Sequence, residues 1–181
     1  MTNERTFNGA TLAWWRALQP SPKRDHKGDS GALARLRRAG LQEAALEPVT
    51  TLLYRHVKPF LRGGELTGFE TAALIAGVLA HVREHENRER VARAAGAHND
   101  DAARLGRLRF RKILAVRGAP ECLSAFRPLV ALLGKKANVG DLAVSLAEWN
   151  VEGAGDRRRT RWAFDYYDAG GAAPEESQDA A

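Results

Sequence analysis

Residues 67–84 read TGFETAALIAGVLAHVRE and contain the longest nearly unbroken apolar stretch of the chain, residues 71–82. Thr67 and Glu70 have the spacing of a capping box, a pattern that starts many helices. The apolar side chains that follow fall on nearly every side of a helical wheel, which is typical of a buried helix. We therefore predict a helix from Thr67 to about Glu84 at the centre of a helical bundle.

Helical signals recur on both sides of this segment, whereas no run alternates apolar and polar residues between hairpin turns as strands do. Leu12, Trp15 and Leu18 have i, i+3 spacing and indicate a first helix that stops before Pro20. Further helices are predicted at 31–39, capped by Ser30, at 48–57, opened by Pro48, and at 103–117, 120–133, 139–149 and 157–167. The predicted fold class is all-α, with about eight helices.

The chain is predicted to fold as one all-helical domain, residues 1–168, made of two packed helical lobes. The N-terminal lobe covers about 1–90 and the C-terminal lobe about 100–168. Residues 86–103 between them are polar, Ala-rich and poorly patterned, and predict a partly ordered connection. Residues 169–181 are acidic, with too little apolar surface to offset chain entropy, and predict a disordered tail.

Cysteine usage and hydropathy indicate a cytoplasmic protein. Cys122 is the single cysteine, so no internal disulfide can form, and a buried small side chain is its expected role. The apolar stretch of residues 71–82 is shorter than the roughly 20 residues that a bilayer requires. The sequence starts without a charged leader followed by an apolar stretch, so we expect no secretory signal and no membrane association.

The charge balance points to a polyanionic partner. The chain has 28 Lys and Arg against 22 Asp and Glu, and 22 of the basic residues are arginine. Three of the acids lie in the tail, so the rest of the chain carries 28 basic and 19 acidic residues, a net charge of +9. Clustered cations bind phosphates because binding releases counterions. An arginine-rich composition without a nucleic-acid partner is the alternative.

The basic residues concentrate in two predicted helices. In the first, Arg35 and Arg38 lie opposite the apolar residues, and Arg37 lies at the rim. In the second, Arg104, Arg107 and Arg111 form a stripe opposite the apolar face, with Arg109 and Lys112 at another edge. No acid lies between Arg104 and Arg117, so internal salt bridges cannot offset the repulsion. Such a face favours an external anion, although a solvated surface is the alternative.

Two further basic segments are candidates. Arg157 and Arg158 open the last predicted helix and are expected to be freer than Arg161, which has Asp165 four residues later as a partner. Residues 20–30 form a basic loop that contributes Lys23 and Arg24. Arg157, Arg158, Lys23 and Arg24 are therefore added to the predicted nucleic-acid-binding residues.

The aromatic residues are expected to serve the core more than a ligand. Trp162 and Tyr166 are four residues apart on one helix face and are predicted to be buried. Trp14 and Trp15 point in different directions on a helix, so one is predicted to be buried and the other to be available to a partner.

One short motif could indicate an enzyme. Residues 81–85 read HVREH and match the H-x-x-E-H pattern of a zinc peptidase class, in which His81 and His85 would bind the metal from one helix. The pattern lies at a polar helix end and lacks an obvious third ligand, so we expect two solvated histidines and no metal. The chain contains neither a phosphate-binding G-x-x-x-x-G-K-[ST] loop nor G-x-G-x-x-G, so no cofactor and no catalytic residue is predicted.

The order of several motifs resembles the CasB family, the small subunit of the type I-E CRISPR Cascade complex. The motifs are Trp14-Trp15 with Leu18, ARLRRA at 34–39, YRHVKPF at 54–60, RFRKIL at 109–114, Asp141-Leu142 with Leu146 and Trp149, and RRR at 157–159 with Trp162 and Phe164. The resemblance runs from about residue 10 to residue 167. Each motif alone is weak, and their order and spacing make the match specific.

The resemblance implies an all-helical subunit of two lobes, present in two copies per complex beside the large and backbone subunits. It also implies contacts with crRNA and target, and a basic groove that stabilises the displaced non-target DNA strand. The family's basic positions fall on Arg38, Arg109, Arg127, Arg157 and Arg158. The helical wheel agrees on Arg38 but favours Arg107 and Arg111 over Arg109.

We therefore expect a non-catalytic Cascade subunit that binds crRNA and single-stranded DNA in antiviral defence. Guide pairing would supply the sequence specificity, and the protein would recognise charge and shape. One alternative is a scaffold whose basic surfaces bind acidic partner proteins. The other alternative is a zinc hydrolase that uses His81 and His85.

Overall fold

A computed structural model describes residues 2–21, 26–99 and 102–170, and in this part of the chain the fold is all-α, as predicted. The described residues form ten α-helices, and residues 58–60 form a 3-10 turn. The helices are α1 (Thr2–Leu18), α2 (Ser30–Arg38), α3 (Leu41–Leu46), α4 (Pro48–Val57), α5 (Glu65–Leu79), α6 (Val91–Gly96), α7 (Arg107–Ala115), α8 (Ala119–Leu132), α9 (Val139–Trp149) and α10 (Ala154–Asp168). Eight were predicted; α3 and α6, six residues each, are the two additions.

The described residues also contain two pairs of very short strands. β1 (Glu84–His85) pairs in parallel with β4 (Lys136–Ala137). β2 (His98–Asn99) pairs antiparallel with β3 (Ala102–Ala103). Each strand is two residues long, too short for the alternating pattern that identifies a strand from sequence.

Helix α5 lies at the centre of the bundle, as predicted, and every residue from 72 to 80 is buried. It packs against α3, α4, α8 and α9. Among the described residues, no helix is both long and apolar enough to cross a membrane.

The predicted ends of α5 were wrong. The helix begins at Glu65 after Gly64, and Thr67 already lies inside it, where its carbonyl accepts a hydrogen bond from the Thr71 hydroxyl at 2.9 Å. A helical residue cannot act as an N-cap, because an N-cap needs non-helical backbone angles. The helix ends at Leu79 instead of near Glu84, and the chain turns at residues 80 and 81.

Other helix ends follow the sequence more closely. The bounds predicted for α4 and α9 match the structure, with Pro48 in the first turn of α4. The prediction that Ser30 caps α2 was wrong by one residue. Asp29 is the cap, and its carboxylate accepts a hydrogen bond from the Ala32 backbone N–H at 2.8 Å.

The segment predicted as a partly ordered connection contains α6, so that prediction was wrong for residues 91–96. Val91, Ala92 and Ala95 are buried, and α6 packs against α10. The Asp141 carboxylate of α9 accepts a hydrogen bond from the Val91 backbone N–H at 2.8 Å and fixes the start of the helix. A six-residue helix shows little periodicity, so tertiary packing decides it.

The buried apolar residues form one cluster that extends from Phe7 to Tyr166. Trp162 and Tyr166 belong to it, as predicted, and Cys122 is fully buried, which raises the pKa of its thiol to about 11. The division of the domain into two lobes stays a prediction.

Both tryptophans near the N-terminus are buried, so the prediction that one is available to a partner was wrong. The Trp14 ring N–H donates to the Val49 carbonyl at 2.7 Å, and the Trp15 ring N–H donates to the Val82 carbonyl at 3.1 Å. Because adjacent residues of α1 face two different neighbours, α1 is inserted into the bundle with both indoles covered.

Candidate nucleic-acid interface

Helix α8 separates the two basic helices that the sequence singles out. Ser124, Pro128 and Ala131 are exposed and spaced four and three residues apart, so they form a solvent-facing strip along α8. On one side of this strip, Arg127 reaches α2. On the other side, α8 forms a pocket with α7. The two basic helices therefore lie on opposite sides of the exposed strip of α8.

Arg127 connects α8 to two neighbouring helices. One terminal nitrogen, Nη2, donates to the carbonyls of Leu36 at 2.9 Å and Ala39 at 2.8 Å, at the end of α2. Its Nε donates to the Gly77 carbonyl of α5 at 3.2 Å. Burial lowers the pKa of Arg127 below its ordinary value. The family resemblance implied that Arg127 contacts phosphate, whereas in the structure its guanidinium also joins three helices.

The three arginines of α2 have different surroundings. Arg38 is exposed at the last position of the helix. Arg37 is half-buried and donates from Nε to the Ala80 carbonyl at 2.7 Å. Arg35 forms a salt bridge with Glu47 at 2.9 Å, which raises its pKa. Arg38 is therefore the best placed of the three to contact an external phosphate.

Helix α7 exposes most of its cations. It is shorter than the predicted 103–117, and Phe110 and Ile113 are its buried residues. The exposed cations on α7 and the turn before it are Arg104, Arg109, Arg111 and Lys112. Arg107 is half-buried and lies near Tyr166. The residues between Arg104 and Arg117, which include no acid, thus form a cationic surface. Stacked aromatic rings of Phe110 and Tyr166 fix this helix to the core.

That stack joins α7 to the last helix. The rings of Phe110 and Tyr166 are parallel, with centroids 3.8 Å apart, and the Tyr166 hydroxyl donates to the Leu105 carbonyl at 2.6 Å. Both rings are fully buried. The arginines of α7 are therefore presented on a rigid backbone.

The pocket between α7 and α8 has an apolar floor and a cationic rim. It encloses about 220 Å³, and Arg109 and Lys112 of α7 line it. The apolar lining comes from both helices: Leu105, Ile113, Val116, Ala125, Pro128, Leu129 and Leu132. Arg109 thus lies at the border between the cationic face of α7 and the exposed strip of α8.

At the start of α10, the structure separates Arg157 from its neighbours. Arg157 is exposed, whereas Arg158 donates to the Glu148 carboxylate from Nε at 2.8 Å and from Nη2 at 2.7 Å. The prediction that Arg158 is freer than Arg161 was therefore wrong, because both are paired with a carboxylate. Arg161 pairs with Asp165 at 3.2 Å, as predicted.

Two predicted features cannot be placed. Lys23 and Arg24 lie outside the described residues. The same holds for residues 171–181, which make up nearly all of the predicted tail.

The model of one protein family matches most of the chain. It is the family described as CRISPR-associated protein Cse2, and it matches residues 32–167. The chain belongs to the Cse2 family. This family is the small subunit of the type I-E Cascade complex, also called CasB, so the resemblance seen in the sequence is confirmed. Comparison with curated proteins and with solved structures gave no significant match.

Membership in the Cse2 family indicates the complex in which the exposed cations of this chain are found. The family is a non-catalytic component of Cascade, so this chain is a Cascade subunit that assembles with other Cascade components. The matched region begins in α2 and ends in α10, and it contains all of the helices that carry the basic surfaces.

The histidines of the H-x-x-E-H motif do not share a helix in this Cse2 protein. His81 lies in the turn after α5, and His85 lies in β1, where its Nδ1 accepts a hydrogen bond from the Val139 backbone N–H at 3.3 Å. Among the described residues, no group of three or more His, Cys, Asp or Glu side chains is arranged to hold a metal ion. The helical geometry that motivated the zinc-hydrolase alternative was therefore wrong. The expectation that both histidines are solvated was also wrong, because both are half-buried.

We expect purified protein to contain far less than one zinc ion per chain, and chelation with EDTA to leave its melting temperature unchanged. The reason is that a zinc site needs three or four converging ligands. Elemental analysis and thermal unfolding measure these two outcomes. Stoichiometric zinc that is lost in the double variant His81→Ala, His85→Ala would contradict this expectation.

Sequence reasoning missed one group of cations around His81. Arg37 of α2, Arg127 of α8 and Lys135 of the turn after α8 all lie close enough to His81 to lower its pKa. Arg83 is close enough to Arg37 for its charge to add to the effect of burial in lowering the Arg37 pKa. The members come from separate helices and turns of the chain, so no local pattern could have joined them.

Proposed function

We propose that this Cse2-family subunit binds the sugar-phosphate backbones of crRNA and target and stabilises the displaced non-target DNA strand. The binding surface consists of the exposed cations of α2 and α7 on the two sides of the exposed strip of α8, together with half-buried Arg107 of α7 and exposed Arg157 of α10. We call it the basic surface and define it by Arg38, Arg107, Arg109, Arg111, Lys112 and Arg157. In the assembled complex, the chain would act beside the large and backbone subunits and a second copy of itself.

The observation that carries the proposal is the cationic face of α7. The described residues show no salt-bridge partner for Arg109, Arg111 or Lys112, and the sequence places no acid between Arg104 and Arg117. By contrast, most other arginines with defined contacts donate to a carboxylate or a backbone carbonyl of the protein. Concentrated, unneutralised cations on a rigid helix favour an external polyanion.

Arg38 extends this surface across α8. It ends α2 at the place where Arg127 holds the helix against α8. Arg109 lies on the opposite border of the exposed strip. A single strand that crosses the exposed strip of α8 would therefore meet one cation on each side.

Three of the remaining predicted contacts are already bonded to other groups of the protein. Arg35 and Arg158 are already paired with Glu47 and Glu148, and Arg127 donates to three carbonyls. Each of these guanidinium groups can donate to a phosphate only through the N–H groups that do not already bond to the protein. We therefore assign them to the support of the basic surface, whereas Lys23 and Arg24 lie outside the described residues and stay predicted contacts.

The double variant Arg38→Ala, Arg109→Ala tests the proposal. If each arginine neutralises one phosphate, the slope of log affinity against log salt for single-stranded DNA should flatten by about 1.4 units. Binding is measured by fluorescence anisotropy with two oligonucleotides of unrelated sequence across a salt series. The loss should be equal for both, because phosphate contacts carry no sequence information.

The matched control is Arg55→Ala, Arg62→Ala, which removes two exposed arginines outside the basic surface. This control should keep the wild-type slope, and circular dichroism should show both variants folded. An unchanged slope in the folded Arg38→Ala, Arg109→Ala variant would place the strand elsewhere. Failure of the wild-type chain to bind either oligonucleotide, together with binding to an acidic peptide, would favour the scaffold function instead.

A further inference from the structure

Four cationic side chains meet around the turn that follows α5. Arg37 approaches the turn from α2, and its Nε donates to the Ala80 carbonyl at 2.7 Å. Arg127 approaches from α8 and donates to the last carbonyls of α2. His81 is the turn residue between them, and both arginines act on its imidazole together with Lys135. The fourth cation, Arg83, follows the turn and is close enough to Arg37 for its charge to add to the lowering of the Arg37 pKa.

The backbone fixes the positions of Lys135 and Arg83. The Lys135 carbonyl accepts hydrogen bonds from the Arg83 N–H at 2.8 Å and the Glu84 N–H at 3.3 Å. Lys135 has a φ of 63°, a left-handed conformation that is uncommon outside glycine. The two residues are thus held side by side by the short β1–β4 ladder, and their side chains belong to one region of the surface.

His81 provides an independent observation. Its Nε2 atom is buried and has no hydrogen-bond partner within the described structure. Buried polar atoms are nearly always hydrogen-bonded, so an unpartnered ring nitrogen calls for an explanation. It lies among cations, and the nearest carboxylate along the chain, Glu84, is held by Lys136 at 2.8 Å.

The lowered pKa of His81 is what burial and a group of cations without a bound anion would produce. Burial lowers its pKa to about 4, with further lowering by Arg127, Arg37 and Lys135 and an opposing contribution from the Arg37 backbone. Arg37 itself has a lowered pKa because of burial and the neighbouring Arg83. Partly desolvated cations without a counter-ion are costly, and a phosphate between them would offset that cost.

We propose that Arg37, His81, Arg83 and Lys135 form a phosphate-binding site at the junction of α2, α5 and α8, with Arg127 as its support. The site takes one phosphate group at the exposed Arg83 and Lys135 side chains, and the charge of that phosphate acts on the nearby His81 imidazole, whose Nε2 is buried. This assignment rests on the proposed function for its source of phosphate, which is a backbone phosphodiester of the bound strand. Inorganic phosphate offers the same chemistry and serves as the simpler probe.

The test follows the His81 ring by two-dimensional ¹H–¹³C NMR of the full chain, in chloride, with inorganic phosphate, and with an oligothymidylate. A bound phosphate favours the imidazolium, so the pKa of His81 should rise by at least about one unit with either ligand. The His81→Gln variant identifies the resonance. His56, exposed on α4, is the internal control and should shift by much less.

The pH dependence of strand binding gives a second readout. A phosphodiester does not titrate in this range, so a rise of about two units in the pKa of His81 would strengthen oligonucleotide binding roughly fourfold between pH 7.5 and pH 5.5. The sign follows from linkage, because the complex binds the proton more tightly than the free protein does. His81→Gln should abolish this His81-dependent part, and Lys135→Gln should weaken the phosphate-induced shift while the exposed position leaves the fold intact.

The outcomes separate this site from the proposed function. Oligonucleotide binding with no change at His81 would overturn the phosphate site and leave the proposed function standing. A His81 shift with inorganic phosphate in a protein that binds no oligonucleotide would support the site and overturn its use by a strand. No shift with either ligand at saturating concentration would overturn the site altogether.

Discussion

Replacing Gly96 with Ala is expected to lower the melting temperature by roughly 10 °C, an effect of about 3 kcal/mol in a chain of this size. Gly96 ends α6 where that helix packs against α10. A Cβ atom at this position would lie 2.1 Å from the carbonyl oxygen of Tyr166 and 2.9 Å from its Cα. Both contacts are with backbone, so neither can be relieved by rotation of a side chain, and α6 must move away from α10.

The matched control is Gly9→Ala in α1. A Cβ at Gly9 would have no neighbour within 4 Å. Because Ala has a higher helix propensity than Gly, this change should be neutral or should stabilise the protein by up to about 1 kcal/mol. Thermal unfolding by circular dichroism compares the two variants. Equal melting temperatures would show that α6 and α10 are not in close contact.

The Gly96 contact illustrates what the sequence could and could not predict about the fold. The long helices follow from apolar periodicity and from prolines, and α4 and α9 have the predicted bounds. Helix α6 was missed because its six residues are too few to show a period. Its stability comes from contacts with α10, which follows about 60 residues later in the chain.

The same distinction holds for the basic residues. A helical wheel predicts which side of a helix is apolar, so the exposure of Arg38 and Arg111 could be inferred from sequence. It cannot predict a partner that comes from another helix. Arg35 finds Glu47 and Arg158 finds Glu148, and both pairs depend on how separate segments pack. Charge alone therefore overstates the number of arginines available to a ligand.

The turn after α5 separates the two histidines that the H-x-x-E-H motif was expected to place on one helix. The apolar run predicts a helix that continues through His81 to Glu84, which would place both histidines on one face. Instead, the helix ends at Leu79, and the His81 N–H bonds to the Val78 carbonyl at 3.0 Å. As a result, the Gly77 carbonyl loses its usual partner four residues later. The lost partner is replaced by Arg127, whose Nε donates to that carbonyl.

The largest effect among the arginines is accordingly expected for Arg127→Ala, a loss of about 3 kcal/mol in the free energy of unfolding. The side chain supplies charged donors to the carbonyls of Leu36, Ala39 and Gly77, all at helix ends where the backbone leaves acceptors unsatisfied. Removing it leaves these partly buried carbonyls without a donor and separates α8 from α2. Urea denaturation at neutral pH measures the loss.

Two further variants distinguish support of the fold from binding of phosphate. Arg127→Lys keeps the charge but not the planar fork, so it should recover only part of the lost stability. Arg38→Ala removes an exposed neighbouring cation and should change the free energy of unfolding by less than about 0.5 kcal/mol. If Arg127→Ala were as stable as Arg38→Ala and bound single-stranded DNA more weakly, the guanidinium would be a phosphate contact, as the family position implies. If it is unstable, every binding measurement on that variant requires a folding control, and the basic surface is better tested through Arg38 and Arg109.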